Sequence, residues 1–195
     1  MGKGGKYSIK DKEKTAKAKG TNLRVHFKKC HAVGQAIKGK NLVKAIKYLE
    51  DVLEKKAAIP FKRYMGGCGR HAMGKQYNAP GDQVGWPVKA CKYFLDLLRN
   101  LRANGEANDL DVDQLYLTHV QVNHAPKMRR RTYRAHGRIG PYMCNPSHIE
   151  LVVTERQTGV PKAAEDSAVK TKMTRKQLAR KRLRNGAGSK AVTKA

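Results

Sequence analysis

The chain has 195 residues, 39% of them apolar, which suits one domain of ordinary size plus tails. Forty-two Lys and Arg stand against 15 Asp and Glu, a formal net charge of +27. Such a chain repels itself until a polyanion neutralises it, with nucleic acid as the first candidate and an anionic membrane surface as the second. No apolar run reaches the 18 residues of a membrane span, and the N-terminus lacks the apolar segment of a signal peptide.

Residues 1–20 are rich in Gly and Lys and are expected to stay disordered until a partner orders them. The chain opens Met1-Gly2, but Lys6 stands where N-myristoylation prefers Ser or Thr. Residues 22–27 read as a short strand or extended entry. A first helix is predicted over about 28–38, where Cys30, Val33 and Ile37 share a face and Gly39 supplies a stop. Asn41 then caps a second helix from Leu42 to about Lys56, with Leu42, Ala45, Ile46, Leu49 and Leu53 as its apolar stripe. Lys40, Lys44, Lys47, Lys55 and Lys56 crowd the remaining surface, which suits solvent and phosphate about equally.

Residues 59–85 carry six glycines and two prolines, too long and irregular for a plain connector. Residues 69–76 match a phosphate-binding loop except that Gln76 replaces the hydroxyl residue, and no buried strand precedes them. The overlapping residues 67–72 resemble a dinucleotide fingerprint without its context. The better reading is that these glycines admit close backbone approach to a partner while Arg63, Arg70 and Lys75 touch phosphates. Pro87 opens a third helix with Val88, Cys91, Phe94, Leu95, Leu98 and Leu101 on one face, fading near Asn104-Gly105.

Residues 112–155 read as a long hairpin. In its second arm Ile149, Leu151 and Val153 alternate with polar residues, as in a half-buried strand. In its first arm Leu115 and Leu117 lie on one parity and Val120 and Val122 on the other, so a bulge or strong twist is expected between Leu117 and Val120. Residues 127–138, between the arms, hold six Lys or Arg in twelve residues and no acid. Such close like charges are costly unless something anionic neutralises them. Residues 158–161 end the domain, and 172–184 form a basic stretch that suits either a helix on RNA or a disordered solubilising tail.

The residues offer little for catalysis. Cys30, Cys68, Cys91 and Cys144 are scattered, with no Cys-x-x-Cys pair for zinc, and fit a reducing compartment. Asp109, Asp111 and Asp113 lack the Gly and Glu of a calcium loop and read as an acidic turn. His119, His124 and His136 are the histidines that a metal would have to gather, though such residues more often cap loops or stack on bases. An Arg-rich segment with Tyr133 and His136 among its charges has the means to grip phosphates and stack on bases. Its irregularity suits folded RNA better than duplex DNA, since no helix-turn-helix or zinc-finger spacing is present.

Residues 22–28 (NLRVHFK), 35–39 (QAIKG) and above all 122–139 (VNHAPKMRRRTYRAHGRI) resemble one ribosomal family. It is the large-subunit family known in bacteria as L-twenty-two, in the eukaryotic form often called L-seventeen. The resemblance covers about residues 20–155. It implies an α+β fold, with three helices packed on a small antiparallel sheet, a long protruding basic β-hairpin and basic tails. On this basis residues 1–20 are a basic extension, 21–158 the globular domain with a hairpin at about 112–155, and 159–195 a basic tail. The resemblance implies a non-enzymatic structural role without a cofactor or metal. It implies rRNA binding, support of subunit assembly, and a hairpin lining the peptide exit tunnel. The implied partners are large-subunit rRNA, neighbouring large-subunit ribosomal proteins and the nascent polypeptide, with no membrane. The implied location is the cytoplasmic ribosome, with a transient nuclear and nucleolar stage. The candidate RNA-contacting residues are Lys28, Lys29, Arg63, Arg70, Lys127, Arg129, Arg130, Arg131, Tyr133, Arg134, His136 and Arg138. The alternative is a basic architectural protein that coats nucleic acid without a defined site.

Overall fold

A computed structural model describes residues 14–155 and 173–189. Its contacts divide the chain into two units, Met1–Arg156 and Gln157–Ala195. In the first unit the order is β1 (Thr15–Leu23), α1 (Phe27–Ile37), α2 (Leu42–Leu53), β2 (Ile59–Pro60), β3 (Val84–Gly85), α3 (Val88–Ala107), β4 (Leu115–His124), β5 (Met128–Tyr133), β6 (Ile139–Cys144) and β7 (Ser147–Glu155). The second unit contributes α4 (Arg175–Ser189). Helices and antiparallel ladders make this an α+β fold.

The main sheet has the order β1-β7-β4, so β7 is its central strand. Ile149, Leu151 and Val153 of β7 are buried, and each is paired on both sides. Ile149 faces Gly20 and Val122, Leu151 faces Ala18 and Val120, and Val153 faces Ala16 and Leu117. Directly paired residues share a sheet face, so this one apolar face meets the helices. The register of β4 against β7 shifts between Leu117 and His119. That is the expected bulge, and it brings Val120 and Val122 onto the face of Leu117. Helix α1 approaches so closely there that a Cβ on Gly34 would lie 3.1 Å from Val120 Cγ1 and 3.2 Å from Val122 Cγ2.

Strand β1 corrects the sequence reading, since it starts at Thr15, inside the segment expected to be disordered. Its inward residues are Ala16, Ala18 and Gly20, too small to announce a buried strand. Helix α3 secures it, because Asn104 Nδ2 donates to Lys17 O at 2.9 Å and Asn108 Nδ2 to Thr15 O at 3.4 Å. For the same reason α3 does not fade at Asn104-Gly105. It runs to Ala107, and Gly105 is buried where a Cβ would lie 2.8 Å from Leu115 Cδ1.

The hairpin is also divided differently from expectation. Its inner arms, β4 and β7, belong to the three-stranded sheet, and the outer arms form a separate ladder, β5 with β6. Pro126 and Pro146 sit at the break, where a residue without an N–H cannot continue a ladder. Residues 112–114 form a 3-10 turn instead of strand, with Asp111 Oδ1 accepting from Asp113 N at 3.0 Å.

The first two helices follow their apolar stripes. Helix α2 stops at Leu53, short of Lys56, because Lys55 turns left-handed at φ 63° and Lys56 N donates back to Asp51 O at 2.8 Å. At its start Asn41 Oδ1 accepts from Val43 N at 2.9 Å and Lys44 N at 3.3 Å, while Asn41 Nδ2 donates to Asp113 O at 2.5 Å. Asn41→Ala removes both the cap and the tie to the β4 approach. The expected loss is about 1–2 kcal/mol in urea unfolding, the upper part of the range for a helix cap. A loss below about 0.3 kcal/mol would show that water replaces the amide at no cost.

The 59–85 segment folds on itself. Ala58, Ala79 and Val84 form a small apolar cluster with Met73, Tyr77 and Trp86 against it. Ala72–Tyr77 is a 3-10 turn, not the long helix of a nucleotide loop. A Cβ on Gly74 would lie 2.5 Å from the Asp82 Cα, so this glycine admits the chain's own backbone rather than a partner's. Gly66 and Gly67, by contrast, face open space.

Candidate nucleic-acid interface

Six residues of β5 pair with six of β6, from Met128 with Cys144 to Tyr133 with Ile139. At ~3.3 Å per residue the ladder is ~20 Å long. Arg129, Arg131 and Tyr133 share one face with Met143, Pro141 and Ile139, and Met128, Arg130 and Thr132 share the other with Cys144, Tyr142 and Gly140. The Arg130 guanidinium lies 5.3 Å from the centroid of the Tyr142 ring, within cation–π range. Tyr133 is 75% exposed and Tyr142 56% exposed, so two flat rings stand open among the arginines.

The turn is closed by Arg134 N donating to Arg138 O at 2.7 Å. His136 at φ 58° and Gly137 at φ 66° make its left-handed step, one that His tolerates better than most residues and Gly without strain. His136 therefore has a conformational task as well as an exposed ring. Lys127, Arg134 and Arg138 are exposed too. No acid occurs between Asp113 and Glu150. Among the described residues the ion pairs are Lys19–Glu150, Lys56–Glu54, Arg99–Glu50 and Arg102–Glu106, none of them on this ladder. Its positive charge is thus uncompensated within the described chain.

The root of the ladder is held firmly. Ala125 N donates to Pro146 O at 3.1 Å, closing the break between the two ladders. Phe27 N donates to Asn145 O at 3.1 Å, and the buried Ser147 hydroxyl reaches Val25 O at 3.3 Å and Cys30 Sγ at 3.2 Å. His124 stacks on Phe27 at 3.6 Å between centroids. A cleft of about 350 Å³ at this root is lined by Arg24, Lys89, Arg130 and Tyr142 among others. Sequence reasoning left Arg24, Lys89 and Tyr142 out of the candidate set. Tyr142 was within reach, because a turn centred on His136 places it opposite Arg130.

A second group forms around Tyr64. Lys28 Nζ lies 5.7 Å from its ring centroid and Arg63 Cζ 5.4 Å, and His31 meets the ring edge-on at 5.5 Å. The structure thus unites Lys28 and Arg63, which lie 35 positions apart in the sequence. Lys29 is exposed on α1. Arg70 is exposed on the β2–β3 connection, where its backbone bridges to Gln83.

Cys30, Cys91 and His26 are turned to structural use. Burial pushes the Cys91 thiol up to about 12 and raises Cys30 as well, although the Ser147 hydrogen bond opposes the latter. Neither is a thiolate at neutral pH, and the thiolate is the nucleophile. Burial lowers His26, with Lys28, Lys29 and His124 adding to the effect. Its Nδ1 accepts from Lys28 N at 3.2 Å, capping α1. The candidate histidines do not converge, since His119 pairs with Gln121 at 3.1 Å, His124 stacks on Phe27 and His136 sits in the turn. No cluster of three or more metal-ligating side chains occurs among the described residues.

In the second unit, α4 begins with a reciprocal cap. Thr174 N donates to Gln177 Oε1 at 3.0 Å and Gln177 N to Thr174 Oγ1 at 3.3 Å. Residues 173–183 are all exposed and carry Arg175, Lys176, Arg180, Lys181 and Arg182 with no acid. Of the two readings for this stretch, the helical one matches the backbone found here.

The sequence that builds this helix-backed sheet and basic ladder is similar to known proteins. The family model for Ribosomal protein L22p/L17e matches residues 18–154. The large ribosomal subunit protein uL22 of Suberites domuncula is 48% identical over 182 residues, covering 92% of this chain and 95% of its own length. That of Podocoryna carnea is 50% identical over 182 residues, at 92% and 98% coverage. The uL22B protein of Schizosaccharomyces pombe is 50% identical over 182 residues, at 93% and 94%. With the match running from inside β1 to residue 154 in β7, the chain belongs to the ribosomal protein L22p/L17e family.

Proposed function

We propose that the chain binds large-subunit rRNA through the β5–β6 ladder and its turn, supports subunit assembly, and lines the nascent-peptide exit tunnel with that hairpin. Family membership makes it a non-enzymatic, structural constituent of the large ribosomal subunit. The observation that carries the finer reading is the uncompensated ladder. Exposed Arg129, Arg130 and Arg131 stand beside exposed Tyr133 and Tyr142, on a root hydrogen-bonded to the globular core. Lys127, Arg134, His136 and Arg138 extend that surface to the turn, and Lys28, Lys29, Arg63 and Arg70 offer further phosphate contacts. Neighbouring large-subunit proteins and the nascent polypeptide are the other proposed partners. The proposed location is the cytoplasmic ribosome after assembly in the nucleolus. No helix among the described residues is long and apolar enough to cross a membrane.

Removing residues 127–138 tests this role. The core is expected to fold, because those residues are exposed or half-exposed and absent from the buried clusters. Incorporation into large subunits should fall sharply, or the tunnel should change in a map of the assembled particle. Normal incorporation with an unchanged tunnel would sink the proposal. The net charge of +27 favours, as a second reading, non-specific coating of nucleic acid. A coat held by counterion release washes off ribosomal particles at high salt, whereas a protein threaded through rRNA stays.

A further inference from the structure

A cleft of about 470 Å³ opens between α1, the middle of α2 with the turn before it, and β2. That volume lies in the range of about 300–1,000 Å³ typical of small-ligand sites. Ala32, Ala36 and Pro60 supply apolar surface, and the rings of Tyr48 and Tyr77 face each other obliquely, 6.2 Å between centroids. Both phenols are fixed through one residue, since Tyr48 OH donates to Ala58 O at 2.6 Å and Tyr77 OH accepts from Ala58 N at 3.4 Å.

Cations occupy the rest of the lining. Lys62 and Arg63 are exposed, and Lys40 is half-buried with its ammonium 3.8 Å from the Tyr48 ring centroid. Lys40 is held in place by the sheet, because Gly39 N donates to Leu117 O and Leu117 N to Lys40 O, both at 2.9 Å. No carboxylate among the described residues lines the cleft. The ammonium therefore rests on the Tyr48 ring, with burial lowering its proton affinity, and an anion entering the cleft would restore it. His31 and Gln35 add hydrogen-bonding edges to the same lining.

We infer that this cleft binds a single unstacked nucleotide of RNA, its base on the aromatic and apolar floor and its phosphate on Lys40, Lys62 and Arg63. Single-stranded bulges and loops present such bases, and proteins take them by stacking and edge hydrogen bonds. A phosphate alone would leave the apolar floor unused, and an acidic peptide would leave the rings without a flat partner. The inference rests on the rRNA-binding reading but assigns a site separate from the hairpin.

The test titrates the full chain with adenosine and uridine 5′-monophosphate, with inorganic phosphate, and with an acidic peptide, following backbone amide shifts. The nucleotides are expected to bind more tightly than phosphate or peptide and to shift Ala32 and Ala36. Lys40→Met, and separately the exposed-site change Arg63→Gln, should weaken nucleotide binding at least about fivefold, the low end for losing one charged contact to phosphate. Lys92→Gln, at an exposed position of α3 outside the cleft lining, should leave the nucleotide shifts of Ala32 and Ala36 unchanged. Equal or tighter binding of phosphate or peptide overturns the inference, as do shifts confined to the hairpin. An rRNA fragment that binds while nucleotides miss the cleft defeats this inference alone. Nucleotide binding in the cleft without any rRNA binding defeats the proposed function instead.

Discussion

Replacing Arg129, Arg130 and Arg131 together by Gln is expected to weaken binding to a large-subunit rRNA fragment about a hundredfold at physiological salt. The estimate takes about 1 kcal/mol per lost side chain, modest for hydrogen bonds to charged groups because these sites are open to water. The salt dependence should flatten as well. Each phosphate contact contributes about 0.7 to 0.9 to the slope of log affinity against log salt, so three lost contacts remove about 2 to 3. Folding should be untouched, since all three side chains are exposed and without ion-pair partners among the described residues.

The control that decides between readings is a triple change of Lys38, Lys44 and Lys47 to Gln. All three are exposed and lie on or beside the first two helices. A non-specific coat responds to total charge and loses affinity equally in both variants. A hairpin site loses far more from the arginines. Equal losses, or a slope that stays unchanged in the arginine variant, would remove the hairpin from its proposed role.

How much of this was legible in the sequence depends on how local each signal is. Helices α1, α2 and α3 were readable because each carries its stripe within one segment. The bulge in β4 was readable because Leu117 and Val120 break parity within one strand. Strand β1 was not, because Ala16, Ala18 and Gly20 carry almost no apolar signal and its carbonyl partners, Asn104 and Asn108, lie some 90 positions away. The division of the hairpin was hidden for a related reason. Strand β1 pairs with β7 only as far as Leu23 opposite Ser147, so the three-stranded part ends where a distant strand runs out. The charge of the site needed no structure, because residues 127–138 state it outright. The cross-strand stack of Arg130 on Tyr142, and the gathering of Lys28 and Arg63 at Tyr64, depend on chain reversals that charge counting does not reveal.

The largest effect on stability is expected from Phe94→Ala. Phe94 is fully buried on α3, and its ring tip lies 3.7 Å from where a Gly34 Cβ would stand. It therefore fills the third side of the contact at which α1 meets Val120 and Val122 of β4. Truncation leaves a cavity at the point where helices and sheet join, for an expected cost of about 3–5 kcal/mol. Against a typical total of about 5–15 kcal/mol this is a large fraction. At about 2–4 °C per kcal/mol for a domain of this size, Tm should drop by roughly 10 °C. Phe94→Leu, which leaves less empty volume, should cost less. The same change also bears on the hairpin, because α1 carries Phe27 and Cys30, which hold the hairpin root through Asn145 and Ser147. Loosening α1 should therefore raise hydrogen exchange at Ala125 N and Phe27 N before global unfolding. A drop of less than about 1 kcal/mol, or unchanged exchange at those two amides, would mean that α1 is held to the sheet without Phe94 and that the hairpin root does not depend on this packing.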